Sequence, residues 1–297
     1  MRWATLGRGR LYFLLLTLPA VLYVFVWRIA PAFYTVWLSF TQYNLIYDPG
    51  PQWNHLENYR RLLQDGGLGE ALRLSAGFAI SATAIELLIG LGAAAFFDSD
   101  PPGRNVLLGI FLLPMIMAPV VVGTVWSALF DPTVGPVMYL FERVGVPEFQ
   151  WLSKPLTAFM GLVVADAWEW TPLTTLLLFA AMQAIPREQH EAARADGASS
   201  FDIFRRVILP QVTGMLVVAG GLRIMDAFLE LDKVFVMTGG GPGTSTQFVS
   251  YYVYKQAFQA YELGYASTVI TGLLALLTVV FAFYLRRYSR LVDAARA

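Results

Sequence analysis

Two carboxylates three residues apart, Asp166 and Glu169, lie inside the apolar run VVADAWEWTPLTTLLL. A second charged set, Arg223, Asp226 and Glu230, follows QVTGMLVVAGGL at the i, i+3, i+7 spacing of one helix face. Carboxylates at helical spacing could carry out acid–base chemistry. With an arginine they could also hydrogen-bond a polyhydroxylated ligand, or simply neutralise one another. A charge at a bilayer centre costs about 2.5–3.5 kcal/mol on insertion scales, so such groups face protein or water. Trp168 and Trp170 flank Glu169. At about 100° per residue they point roughly 160–200° apart, so one helix cannot present both to one ligand. Trp170 shares the Asp166/Glu169 side and reads as a pathway residue, Trp168 as packing.

These side chains need apolar elements to hold them. Of 297 residues, 57% are hydrophobic and 14% charged, against about a quarter charged in a soluble domain. The mean hydropathy is +0.55. Apolar runs reach 17 residues, as in LYFLLLTLPAVLYVFVW, long enough to cross a bilayer. The chain reads as an all-α membrane protein, because lipid offers no partner to unpaired backbone groups. Six transmembrane helices are expected: Leu11 to about Phe33, Leu74–Phe97, Val106–Phe130, Leu156–Met182, Val212–Leu229 and Ala266–Leu285. No connection is long enough for a typical independent domain, so residues 1–297 read as one transmembrane domain. Arg2, Arg8 and Arg10 precede the first run in the manner of a signal peptide. The run is long and no A-x-A-like cleavage site follows, so it is read as an uncleaved span. With the N-terminus inside, inner segments hold twelve Lys and Arg and outer segments seven, which places both termini in the cytoplasm.

On that orientation Asp166 lies roughly 15 Å below the outer surface and Arg223 roughly 17 Å above the inner one, at about 1.5 Å per residue. In a hydrocarbon core about 30 Å thick the two are nearly level, within reach of an ion pair. Pairing and ligand contact carry equal weight on this reading, with Asp166 and Arg223 favoured for pairing and Glu169 and Asp226 for ligand contact.

Between the fourth and fifth runs, on the cytoplasmic side, stands the polar stretch EAARADGASSFDIFRRVILPQV. Pro186 suits a first helical turn, and good helix formers continue to about Asp196. Gly197 is placed to end the helix in a left-handed conformation. Ser199 with Asp202 approximates a capping box for a second helix. The expectation is a helix–elbow–helix over about 186–208, either a connector lying on the membrane surface or a docking element. The small side chains of Ala192 and Ala193 would let a partner approach closely. TGGGPGTST, Thr238–Thr246, is Gly-rich without the G-K-[ST] ending of a phosphate loop. HEAAR, His190–Arg194, is one residue short of a zinc motif, and no metal site is expected. The chain has no Cys and a formal charge of zero, so neither disulfides nor a nucleic-acid partner is indicated.

EAARADGASSFDIFRRVILP closely resembles the cytoplasmic loop of binding-protein-dependent ABC importer permeases, E-A-A-x-x-D-G-A followed by I-x-L-P. Glu191, Ala192, Ala193, Asp196, Gly197, Ala198, Leu209 and Pro210 match, while Val207 takes the place of the apolar residue three before that Pro. LPAVLYVFVWRIAPAFYTVWLSFTQYNL, LENYRRLL, FDPTVGP and MTGGGPGTSTQFVSYYVYKQAF extend the likeness over nearly the whole chain, to the MalF/UgpA/SugA-type permeases of sugar importers. There is no large periplasmic insert, so the likeness is to the compact six-helix form of the type I importer permease fold.

The resemblance implies a transport subunit in a bacterial or archaeal cytoplasmic membrane. Glu191, Ala192, Ala193, Asp196, Gly197, Ala198 and Phe201 would belong to coupling helices that dock on two ATPase subunits. Gly239, Gly240, Gly241 and Pro242 would lie near the periplasmic gate and the binding protein. Asp166, Glu169, Trp170, Arg223, Asp226 and Glu230 would line the substrate pathway. Partners would be a MalG-type permease, the ATPases, an extracytoplasmic sugar-binding protein, the sugar and membrane lipid. No cofactor is expected on this chain, which has no Walker A sequence; ATP and Mg would sit on the ATPases. The alternative is a membrane-embedded enzyme using the Asp166/Glu169 pair, but no metal, nucleophile or nucleotide motif accompanies it. A channel would need a repeated filter or a charge ring, and the sequence has neither.

Overall fold

The computed structural model describes residues 15–133, 135–143 and 150–296. Arg2, Arg8, Arg10, the first residues of the expected opening span and Val134 of FDPTVGP lie outside them. The chain divides into two compact units, one running up to Asp65 and taking in Val253–Leu276, the other Gly66–Tyr252 with the chain from Leu277.

In the first unit, helix α1 (Leu15–Leu38) leads to a short antiparallel pair, β1 (Thr41–Gln42) and β2 (Gln52–Trp53), then α2 (Glu57–Gln64). Pro31 explains a π turn at Phe25–Ile29 inside α1. The proline ring has no N–H and crowds the carbonyl four residues back, and the wider turn, closed by Ala30 N–H to Phe25 O, accommodates it. Asn58 holds the hairpin to α1 by donating to the carbonyls of Ser39 and Thr41 at 3.3 and 2.8 Å. Arg61 pairs with Glu262 at 2.7 Å and lies over the Tyr265 ring.

The second unit holds α3 (Gly66–Asp98), α4 (Arg104–Phe111), α5 (Pro119–Leu129), α6 (Pro136–Arg143), α7 (Pro155–Gln183), α8 (Arg187–Ala195), α9 (Ser200–Phe228), the first four residues of α10 (Val249–Tyr254) and the later turns of α11 (Leu263–Arg296). Helices α3, α7 and α9 pack on one another and form its core. In lipid, apolar burial gives little drive for helix association, so close approach and polar contacts must supply it. Gly90 meets α7 so closely that a Cβ there would lie 3.2 Å from Thr174 Cβ. Thr174 Oγ1 donates to Glu86 O across the same contact at 3.0 Å. Gly221 of α9 accepts the ring of Tyr284, where a Cβ would come within 2.9 Å of Cζ.

The expected six transmembrane helices are corrected to four. Among the described residues, only Leu15–Leu38, Gly66–Asp98, Ser200–Phe228 and Leu263–Tyr284 are long and apolar enough to cross a membrane. The run Val106–Phe130 is broken. Pro114 opens a single 3-10 turn, Met117 and Ala118 are extended, and Pro119 starts α5. Ala118 takes the extended conformation that proline favours in the residue before it, at φ −69° and ψ 136°, and so does not bridge the two pieces. The 11 residues of α5 span only about 16 Å. The run Leu156–Met182 does form one 29-residue helix. It falls short in apolarity because Asp166, Glu169, Thr171, Thr174 and Thr175 occupy its centre, all buried against protein.

Candidate functional site

Glu86, Asp166, Glu169, Arg223 and Lys233 are packed into the second unit with exposures of 2% or less. Arg223 of α9 is the hub. Its Nε donates to Glu86 Oε2 at 2.7 Å, and its Nη2 to Glu86 Oε1 at 3.0 Å and to Asp166 Oδ2 at 2.9 Å. Its Nη1 donates to Asp226, one helical turn on. The guanidinium lies 4.7 Å from the centre of the Trp170 ring, within the range of a cation–π contact. Lys233 is a second hub. Its Nζ reaches Asp166 Oδ1 at 3.0 Å, Glu169 Oε2 at 2.7 Å and Glu230 Oε2 at 2.9 Å. Asp166 thus bridges the two cations.

The structure brings together all six residues assigned to the pathway: Asp166, Glu169, Trp170, Arg223, Asp226 and Glu230. Asp166 and Arg223 form the ion pair that their depths allow. Only part of the set is accessible: the Asp226 side chain is 64% exposed and Trp170 half-buried, whereas Asp166, Glu169 and Arg223 are enclosed. Trp168 points elsewhere. It meets Trp126 edge-on at 6.0 Å and lines an apolar cavity of about 670 Å³ beside the broken helix.

Sequence reasoning missed two members. Glu86 stands alone in SATAIELLIG, and the rule applied to Asp166 and Glu169 would have marked it. Lys233, counted among the outer-segment cations, is wholly buried; nothing in its neighbourhood signals that.

Lys233 also starts the chain toward the Gly-rich segment. A π turn at Val234–Thr238 ends on Gly239, which is left-handed. Gly240 and Gly243 also take positive φ, and Gly241–Pro242 is cis. Thr246 Oγ1 clamps the turn, lying within hydrogen-bond distance of both Gly241 O at 2.7 Å and Thr238 Oγ1 at 2.8 Å. Tyr251 packs beneath: a Cβ on Gly240 would lie 2.7 Å from its Cε1. Gly240 is therefore required by both dihedral angle and space, and Gly239 and Gly243 by dihedral angle alone.

The helix–elbow–helix lies at the other end of α9, roughly 35 Å from Arg223 along the helix axis. Helix α8 ends in a Schellman turn. Gly197, at φ +80°, donates to Arg194 O, and Ala198 donates to Ala193 O. Ser199 then caps α9, its Oγ accepting from Asp202 N at 3.2 Å. A π turn at Phe204–Ile208 precedes Pro210 as one precedes Pro31. Ile203, Ile208 and Val212 are buried with Ala94, Leu178, Met182 and Ile185, which seats the elbow on α3 and α7. Outward, Glu191, Ala192, Asp196, Gly197 and Phe201 are exposed. Ala193 and Ala198 are half-buried against the core.

Among the described residues no cluster of His, Asp and Glu has metal-holding geometry. The chain is 32% identical over 277 residues to the trehalose/maltose transport system permease protein MalF of Thermococcus litoralis, covering 93% of this chain and 94% of that one. It is 30% identical over 279 residues to the trehalose transport system permease protein SugA of Mycobacterium tuberculosis, covering 93% and 89%. Its fold matches a solved bacterial ABC transporter involved in import of the acidic polysaccharide alginate, with a TM-score of 0.83 at 17% identity over 97% of this chain and 98% of that one. Residues 86–291 match the family described as the binding-protein-dependent transport system inner membrane component. That stretch contains the charged cluster, the elbow and the Gly-rich turn, and this chain belongs to that family.

Proposed function

We propose that this chain is a multi-pass permease subunit of a sugar-importing ABC transporter, fed by an extracytoplasmic binding protein. The observation that carries this is the family match over 86–291, together with full-length relatives named for trehalose and maltose transport. A partner permease and ATPase subunits complete the machine. In finer detail, the partner is a MalG-type permease and the ATPases number two. Nothing in the charged cluster favours the membrane-embedded enzyme: its buried carboxylates are ion-paired with Arg223 and Lys233.

On this reading the exposed face of the elbow, Glu191, Ala192, Asp196, Gly197 and Phe201, docks on an ATPase, with Ala193 and Ala198 supporting it from behind. Asp226 and Trp170 meet the sugar, while Asp166, Glu169, Glu230 and Arg223 hold them in place. Gly239, Gly240, Gly241 and Pro242 form the turn nearest the binding protein. ATP binding closes the ATPases and moves the elbow. Helix α9 runs without a break in helical structure from the elbow to Arg223 and Asp226, so the movement reaches the sugar site through one element. A tagged chain purified from its native membrane should bring with it a second, different permease and two ATPases. A functional complex holding two copies of this chain and no other permease would contradict the heterodimer.

The elbow can be tested separately. A Cβ at Gly197 meets open space, so Gly197→Val changes only the cost of a left-handed backbone, which β-branched residues tolerate worst. Assembly should hold while sugar transport and sugar-stimulated ATPase activity fall together, about tenfold for a strain near 1.4 kcal/mol. Binding-protein affinity for sugar should not change. Wild-type transport by a fully assembled Gly197→Val complex would remove the coupling role.

A further inference from the structure

We infer that the pathway at Asp226 and Trp170 accepts neutral or amino-bearing saccharides and rejects acidic ones; this rests on the pathway reading above. The inference comes from donor and acceptor accounting. A guanidinium has five N–H groups and an ammonium three. Four of the five on Arg223 point at Glu86, Asp166 and Asp226. Lys233 Nζ donates to Glu169 Oε2 at 2.7 Å and is ion-paired with Asp166 and Glu230 at 3.0 and 2.9 Å. Both cations of the cluster are thus engaged by carboxylates of the same chain. Among the described residues of the cluster, an acidic sugar arriving at Asp226 meets no cation that is not already ion-paired to a carboxylate.

The acceptor side is in surplus. Five carboxylates (Glu86, Asp166, Glu169, Asp226 and Glu230) face two cations. Glu169 is fully buried, and its Oε1 has no hydrogen-bond partner among the described residues. Asp226 spends one oxygen on Arg223 and presents the rest of its carboxylate on a side chain that is 64% exposed. Surplus acceptors suit ligands that donate: sugar hydroxyls, and better still an ammonium. The half-buried Trp170 ring offers a face for the apolar side of a pyranose. A ligand carboxylate would meet like charge and leave its own acceptors unpaired, which is how a site discriminates by repulsion. The fold itself does not set this choice, since the same fold serves an alginate importer.

The test is equilibrium binding to the complete transporter in lipid nanodiscs, without the binding protein, so that its selectivity does not intervene. The probes are glucose, maltose and trehalose, each also as the form with one hydroxymethyl oxidised to carboxylate and the form with one hydroxyl replaced by ammonium. Within a trio, the uronate should bind at least about tenfold more weakly than the neutral sugar, and the ammonium form at least as well as it. Asp226→Asn should narrow the gap between uronate and ammonium forms severalfold. Uronate binding equal to that of the neutral parent, or no binding by any of the nine sugars, would overturn the inference. Uptake by Asp226→Asn separates the two levels of the argument. Lowered uptake with equal uronate binding removes only the charge selectivity. Binding and uptake unchanged for every sugar would remove the pathway reading and the selectivity with it.

Discussion

Arg223→Gln is expected to strip most of the assembled transporter from the membrane. Among the described residues Arg223 is the only cation in contact with Glu86, and it shares Asp166 with Lys233. Its removal leaves Glu86 buried and unpaired between α3, α7 and α9. Breaking a buried ion pair in this way costs about 3–5 kcal/mol, and each 1.4 kcal/mol is about tenfold in an equilibrium constant. Size-exclusion of a fluorescently tagged chain, with the partner permease as the co-eluting marker, should show less than a tenth of the wild-type peak. The rescue pattern is more specific than the loss. Asp166→Asn added to Arg223→Gln should not restore the peak, because Glu86 remains without a cation. Adding Glu86→Gln should restore assembly, since replacing a whole buried ion cluster by neutral groups of similar shape is far milder than removing one partner. Normal assembly of Arg223→Gln alone, or full recovery with Asp166→Asn alone, would show that Glu86 is not held as described.

Lys233→Met should have the second largest effect, and a different signature. Among the described residues Lys233 is the single cation on Glu169 and Glu230, and it begins the π turn that ends on Gly239. Loss of its charge leaves two enclosed carboxylates unpaired and detaches the Gly-rich turn from α7. Assembly should fall by at least about tenfold on the same arithmetic. In the complex that remains, amide exchange across 238–246 should rise, while exchange at the elbow near Gly197 stays at the wild-type level. Opening free energies differ between parts of one structure, so such a local change is readable. Unchanged exchange at 238–246 would mean that Lys233 does not anchor the turn.

What the sequence disclosed follows the range of the interactions. The elbow was legible because its determinants are local: a glycine after a helical run, and a Ser three residues before an Asp. Asp166 and Arg223 were legible as neighbours because depth in a bilayer is a shared coordinate that can be counted from each helix end. Glu86 carried the same signal and was overlooked. Lys233 gave none, since only the return of the chain against α7 takes it out of water. The count of membrane-crossing helices failed for two physical reasons. Hydrophobic runs say nothing of backbone continuity, and Pro114 with Pro119 breaks one run in half. In the other, α7 gives its centre to charged and hydroxyl side chains that face α3, α9 and Lys233 rather than lipid. The MalF-type likeness reached the family because its signature is a long local motif, whereas the ion cluster is assembled from residues 137 apart at its widest pair.

If this chain is the transmembrane part of an ATP-driven, binding-protein-dependent importer, proteoliposomes containing the purified complex should take up radiolabelled trehalose or maltose. At least one sugar should be taken up in a manner that needs both ATP on the ATPase side and binding protein on the other, and that stops when either is withheld. Sugar flux that persists without ATP and binding protein, or chemical conversion of the sugar by this chain alone, would contradict that role.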